Sequence, residues 1–234
     1  AMADNITKTK HRILEANKID IQNAINLSSS MIERLKLNSK KIDDMADSIR
    51  VIANLKSPLG RVLGGFENYA GLKIRKISVP IGVIAVIYES RPNVTSDVVA
   101  LCFKSGNVCI LKGGKEAIES NKAILEALHN TLINYKLPTS IISFIDSRDS
   151  LELLLKEDKY IDLVIPRGGN GLISFVSLNS KIPVIKHDKG VCAMYIDKIC
   201  NQKMAIEIAI NAKTSKPAAC NSIETILIHK DSNI

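Results

Sequence analysis

Residues 81–88, IGVIAVIY, form an unbroken apolar run rich in β-branched side chains. A strand with one wet face alternates apolar and polar residues. A run without alternation belongs to a strand covered on both faces, as in a parallel sheet between helices. The chain beyond it keeps this grammar. A helical pattern at Thr95–Lys104 precedes the run VCIL at 108–111, and another at Lys115–Asn134 precedes IISFI at 141–145. A short helix at Ser150–Lys156 leads to IDLVI at 161–165, then a helix at 169–177 and an extended piece at 182–185. Strand and helix in alternation predict an α/β fold, a doubly wound, mainly parallel sheet from Ile81 to Ile185.

The flanks differ. Residues 5–54 read as helix, with Ile13, Leu14, Ile21, Ile25, Met31 and Leu35 at helical spacing and a second pattern from Ser39 to Leu55. Pro58 and Gly60 end it, and 60–79 holds Gly64, Gly65 and Gly71 between β-prone pieces, which predicts a hairpin. After Gly190, strands are expected at 191–196 and 224–228 around a helix at 202–212.

Composition narrows the function. The 234 residues are 46% hydrophobic and 24% charged, an ordinary globular balance. No apolar run is long enough for a membrane span, and the polar opening Ala1–Lys10 is no signal peptide. The formal net charge of +8 is spread along the chain rather than gathered in one block. Aromatics are only 4%, too few for a nucleic-acid stacking platform. Neither nucleic acid nor membrane is therefore expected as a partner. Five cysteines without C-x-x-C pairs argue against disulfides and zinc, and place the chain in a reducing cytoplasm. No metal site is expected, since His11, His129 and His229 lack ligand spacing.

In an open parallel sheet, ligands sit beyond the carboxyl ends of the strands. Three turns fall there: Glu89–Asn93, Lys112–Glu116 and Pro166–Gly171. Gly113, Gly114, Gly168 and Gly169 would let backbone approach a phosphate, and a following helix N-terminus favours an anion. None of the three is a G-x-G-x-x-G or a P-loop, and plain strand–helix turns carry the same residues. Cys220 lies in a small-residue loop, NAKTSKPAACN at 211–221, where nearby amides and lysines would lower a thiol's pKa and make it a nucleophile. The competing reading is a buried small hydrophobe. Cys102, Cys109 and Cys192 read as core, and Cys200 as an inert junction residue. His187, at a strand end, reads as a solvated loop residue or as an acid/base group.

Residues 79–117, VPIGVIAVIYESRPNVTSDVVALCFKSGNVCILKGGKEA, resemble the γ-glutamyl phosphate reductases (glutamate-5-semialdehyde dehydrogenases) of the aldehyde dehydrogenase superfamily. YIDLVIPRGGNGL at 160–172, residues 182–197 and NAKTSKPAACNSIET at 211–225 fit the same family. The resemblance implies NADPH-dependent reduction of L-glutamate 5-phosphate to glutamate 5-semialdehyde in proline biosynthesis. It makes Cys220 the nucleophile, Asn93 the oxyanion-stabilising amide and Lys112 a cofactor contact, beside Gly113, Gly114, Gly168 and Gly169. Arg91 and Arg167 become substrate or phosphate anchors. It also implies a cofactor-binding domain over 1–188, with 60–79 as an oligomerisation-type hairpin, and an incomplete catalytic domain over 189–234. The implied partners are the small-molecule substrate and either a homo-oligomer or a complementary C-terminal fragment. Ala193 departs from the family, which usually has His there. The alternative is a non-catalytic remnant, a nucleotide-binding or interaction module of a split or decaying gene.

Overall fold

The computed structural model describes residues 1–25, 27–147, 149–186, 190–215, 217 and 221–232. It divides into two compact units, Ala1–Lys186 and His187–Ile234.

The first unit opens with helices α1 (Met2–Lys8), α2 (Lys10–Asn23), α3 (Ser29–Leu35) and α4 (Ser39–Asn54). The helical reading of 5–54 is thus corrected to separate pieces. Apolar spacing runs through Ile25 and Leu27, but Ser28 caps α3, its Oγ accepting from the Met31 amide at 3.4 Å. Asn38 does the same for α4, accepting from Lys41 at 2.8 Å. Where α3 ends, buried Asn17 takes over the freed backbone. It donates to the Leu35 carbonyl at 2.9 Å and accepts from the Leu37 amide at 2.8 Å. In α4, Ile42, Met45, Ala46 and Ile49 bury one stripe at helical spacing.

A hairpin follows, β1 (Val62–Glu67) antiparallel to β2 (Lys73–Ile77), with every strand residue exposed. Then come β3 (Val83–Tyr88), α5 (Pro92–Lys104), β4 (Val108–Lys112), α6 (Ile118–Asn134), β5 (Ile142–Phe144), α7 (Asp149–Leu154), β6 (Leu163–Arg167) and α8 (Asn170–Asn179). The four strands from β3 to β6 form one parallel sheet in the order β5-β4-β3-β6. Val184 bridges Val164 in parallel on the outer side of β6. The unbroken apolar run at β3 is explained by its two covered faces. Ile84, Val86 and Tyr88 enter one core with α1, α4, α5 and α6. Ala85 and Ile87 enter a second core with Leu151, Leu154, Leu155 and Val176. Cys102 and Cys109 are buried in the first core, as their patterns imply.

The second unit is a parallel pair, β7 (Cys192–Ile196) and β8 (Ile223–Ile228), joined by α9 (Gln202–Thr214). Cys192 is only partly buried here, a correction to its reading as core: β7 alternates half-buried and exposed residues, and Cys192 falls at its edge.

Candidate functional site at the strand-order reversal

The chain moves outward from β3 to β4 to β5, then returns to lay β6 on the other side of β3. Strand order therefore reverses between β4 and β6, and the crevice at the carboxyl ends of such a reversal is where α/β folds bind ligands. The register fixes what stands there. Ile87 pairs with Lys112 and Tyr88 with Arg167, so Lys112 and Arg167 end their strands at nearly the same level, on opposite sides of β3.

At the β4 end, Lys112 Nζ donates to the Gly113 carbonyl at 2.9 Å. Burial pushes the Lys112 ammonium below the usual lysine range, while the Glu116 and Asp146 carboxylates pull it back up. The two glycines are dictated by what sits against them. A Cβ on Gly113 would strike the Asn121 amide nitrogen and lie 3.4 Å from the Tyr88 ring. A Cβ on Gly114 would strike the Glu116 carboxylate. That carboxylate also accepts from buried Ser90, linking the β3 and β4 turns. Below Gly113 runs a buried chain: Tyr88 Oη lies 2.7 Å from Thr95 Oγ1, which donates to Asn121 Oδ1 at 2.8 Å. Burial drives the Tyr88 phenol well above its ordinary pKa. Asn121 Nδ2 is sealed from solvent without a hydrogen-bond partner.

The β3 and β6 ends are clasped by Glu89. Its amide donates to the Arg167 carbonyl at 3.2 Å, and its Oε1 accepts from the Gly169 amide at 3.0 Å. A Cβ on Gly168 would lie 2.6 Å from the Glu89 carboxyl carbon. The α8 N-terminus thus already faces an internal carboxylate. Glu89 is the residue of this edge whose contacts pattern reading passed over. It stands first in the singled-out turn ESRPN, but its partner lies 80 residues away.

Asn93 sits in the first turn of α5, exposed, with Nδ2 at 3.5 Å from Asp97 Oδ2, long for a hydrogen bond. It lines a cavity of about 260 Å³ against α3 and α4. Arg91 precedes α5 and is exposed. Arg167 stands at the mouth of a separate apolar groove along α5. Lys112, Gly113, Gly114, Gly168, Gly169, Arg91, Arg167 and Asn93 thus all lie at the carboxyl edge of one sheet, with Asn93 displaced toward α4. Cys220 and His187 lie outside the described residues. Among the described residues no three His, Cys, Asp or Glu side chains gather as metal ligands would, and no helix is long and apolar enough to cross a membrane.

This arrangement defines a class. An acetylating aldehyde dehydrogenase from Geobacillus thermoglucosidasius superposes with a TM-score of 0.64 over 98% of this chain and 49% of its own, at 16% identity, which establishes a common aldehyde-dehydrogenase-type fold. No family model matches the chain. Sequence relatives are more specific. A gamma-glutamyl phosphate reductase from Nitratiruptor is 54% identical over 97% of this chain, and one from Aliarcobacter butzleri is 54% identical over the same share. The crystal structure of gamma-glutamyl phosphate reductase from Thermotoga maritima superposes over 98% of this chain with a TM-score of 0.91 at 40% identity. The chain belongs to the gamma-glutamyl phosphate reductase family, a family of oxidoreductases. It spans 56% of the length of these relatives.

Proposed function

We propose that the whole protein reduces L-glutamate 5-phosphate to L-glutamate 5-semialdehyde in proline biosynthesis, with NADPH as reductant. The observation that carries this reading is 54% identity over 97% of the chain to a protein named for that reduction.

The carboxyl edge of the first unit fits a nicotinamide dinucleotide. It stands at the strand-order reversal, where the half-buried Gly114 lies two residues from a half-buried lysine, Lys112. Lys112, half-buried at the end of its strand, would meet a 2′-phosphate as a point charge. Gly113 and Gly114 hold the turn close to the ligand. Gly168 and Gly169 shape the far wall, with Glu89 engaging the Gly169 amide. Bound there, the cofactor would supply the hydride.

Cys220 is the proposed nucleophile. Its thiolate forms a bond to C5 of the acyl phosphate as the bond to the phosphate oxygen breaks, and phosphate leaves. Once the thioester carbonyl has accepted hydride, its oxygen carries the negative charge. Asn93 is the proposed donor to that oxygen, a role that rests on the family resemblance. The carbon–sulfur bond then breaks, releasing aldehyde and thiolate. Arg91 and Arg167 are the proposed anchors for phosphate.

The test is phosphate-dependent reduction of NADP by glutamate 5-semialdehyde. It is run on the chain alone and on the chain supplemented with the remaining portion of a curated relative. Turnover lost in Cys220→Ser supports the reading; turnover retained in that variant removes the cysteine route.

A further inference from the structure

The cavity beside Asn93 carries a charge pattern that the reaction's chemistry at C5 does not use. Its floor is apolar, from buried Leu37 and Met45. Around it stand two cations, Arg34 and Lys41, and two acids, Asp44 and Asp97. Lys41 is committed: its ammonium donates to the Lys36 carbonyl at 2.7 Å and the Glu33 carbonyl at 3.1 Å. Arg34 has no hydrogen bond or ion pair among the described residues. Asp97 is half-buried in α5, and its Oδ1 is sealed from solvent with no hydrogen-bond partner. Its other oxygen, Oδ2, has only the long 3.5 Å contact from Asn93, so the carboxylate as a whole is poorly satisfied. Burial pushes the Asp97 acid above the ordinary carboxylate range, more than the nearby Asn93 and Ser48 side chains pull it down.

We propose that this cavity is the amino-acid recognition subsite, with Asp97 receiving the α-ammonium of the substrate and Arg34 its α-carboxylate. The proposal rests on the reductase reading and specifies how its substrate is chosen. The spacing supports it. Asn93 and Asp97 are one helical turn apart, which sets their Cβ atoms about 5–6 Å from each other. From C5 of a glutamyl chain to its α-nitrogen, four single bonds span about 5 Å when extended. A substrate with its C5 oxygen on Asn93 thus brings its ammonium to Asp97, while its methylenes lie on Leu37 and Met45. Arg34, planar and five-donor, suits a carboxylate.

The test uses the chain itself, titrated by calorimetry with three probes. L-Glutamate carries both charges, glutarate lacks the ammonium, and 4-aminobutyrate lacks the α-carboxylate. In the wild type L-glutamate should bind at least about tenfold more tightly than either comparator, the scale of one charge-assisted contact. Asp97→Asn should abolish the preference over glutarate and keep that over 4-aminobutyrate. Arg34→Gln should do the reverse. Thermal melting confirms that both variants are folded. No L-glutamate binding, equal binding of all three probes, or variants that weaken every probe equally would each overturn the subsite. Because no turnover is read, glutamate selectivity in a chain that shows no reductase activity even when supplemented with the remaining portion of a relative would keep the subsite and remove the reductase reading.

Discussion

Gly113→Ala tests the packing on which the β4 turn depends. The added methyl would meet the Asn121 amide, which is fully buried and has no direction in which to retreat freely. Overpacking of this kind costs about 1–3 kcal/mol. If Asn121 yields instead, the 2.8 Å bond it accepts from Thr95 is lost, and a buried amide oxygen without a donor costs about 1–3 kcal/mol. Either route predicts about 1–3 kcal/mol of destabilisation. For a unit of this size that corresponds to a fall of roughly 2–12 °C in melting temperature. Urea denaturation of the first unit, followed by far-ultraviolet circular dichroism, measures it. Removing the obstacle should relieve part of the strain. Gly113→Ala with Asn121→Ala should therefore be more stable than the sum of the single variants implies, by about 1 kcal/mol or more. A Gly113→Ala protein within about 0.5 kcal/mol of wild type, or strict additivity in the double variant, would refute the close approach as the reason for glycine at this position.

Other expectations follow from neighbouring contacts. Buried Asp20 accepts from the Ser120 hydroxyl at 2.6 Å and from the amides of Ser120 and Glu119 at 2.7 and 3.1 Å, capping α6 from outside. Burial nevertheless raises its acid above 3.8, so the folded state holds the proton more tightly than the unfolded one. Its stabilising contribution is full below pH 3.8 and declines as pH rises through the folded value. Urea midpoints against pH should therefore show the deficit of Asp20→Asn shrinking over that rise; a constant deficit refutes the assignment. Glu89→Ala should cost about 1–2 kcal/mol by freeing the Gly169 amide, read as faster hydrogen exchange there, and unchanged exchange would remove the clasp.

The central strands were legible because burial on both faces leaves no alternation to misread. Their order was not. Nothing in the run at 161–165 says that it returns beside β3 rather than beyond β5. The strand also begins two residues later than its apolar run, because Ile161 is buried before pairing starts. The break between α2 and α3 was hidden because Ile25 and Leu27 continue the helical spacing while Ser28 ends it. At the site, glycines at strand ends were visible as glycines, but their reasons were not. Gly113 answers to Asn121 and Gly168 to Glu89, pairs made neighbours only by the folded sheet. The charged wall of the Asn93 cavity was equally hidden, since Arg34, Asp44 and Asp97 come from three separate helices.

The proposed dinucleotide site lies in the first unit, at the carboxyl ends of β3, β4 and β6. Fluorescence titration of the chain with NADPH, wild type against Lys112→Ala, tests this most directly. Saturable binding should weaken in the variant by about 1–3 kcal/mol, the range for a lost charge-assisted contact, and NADH should be affected less. No saturable NADPH binding by the wild type, or equal affinity in the two proteins, would contradict it.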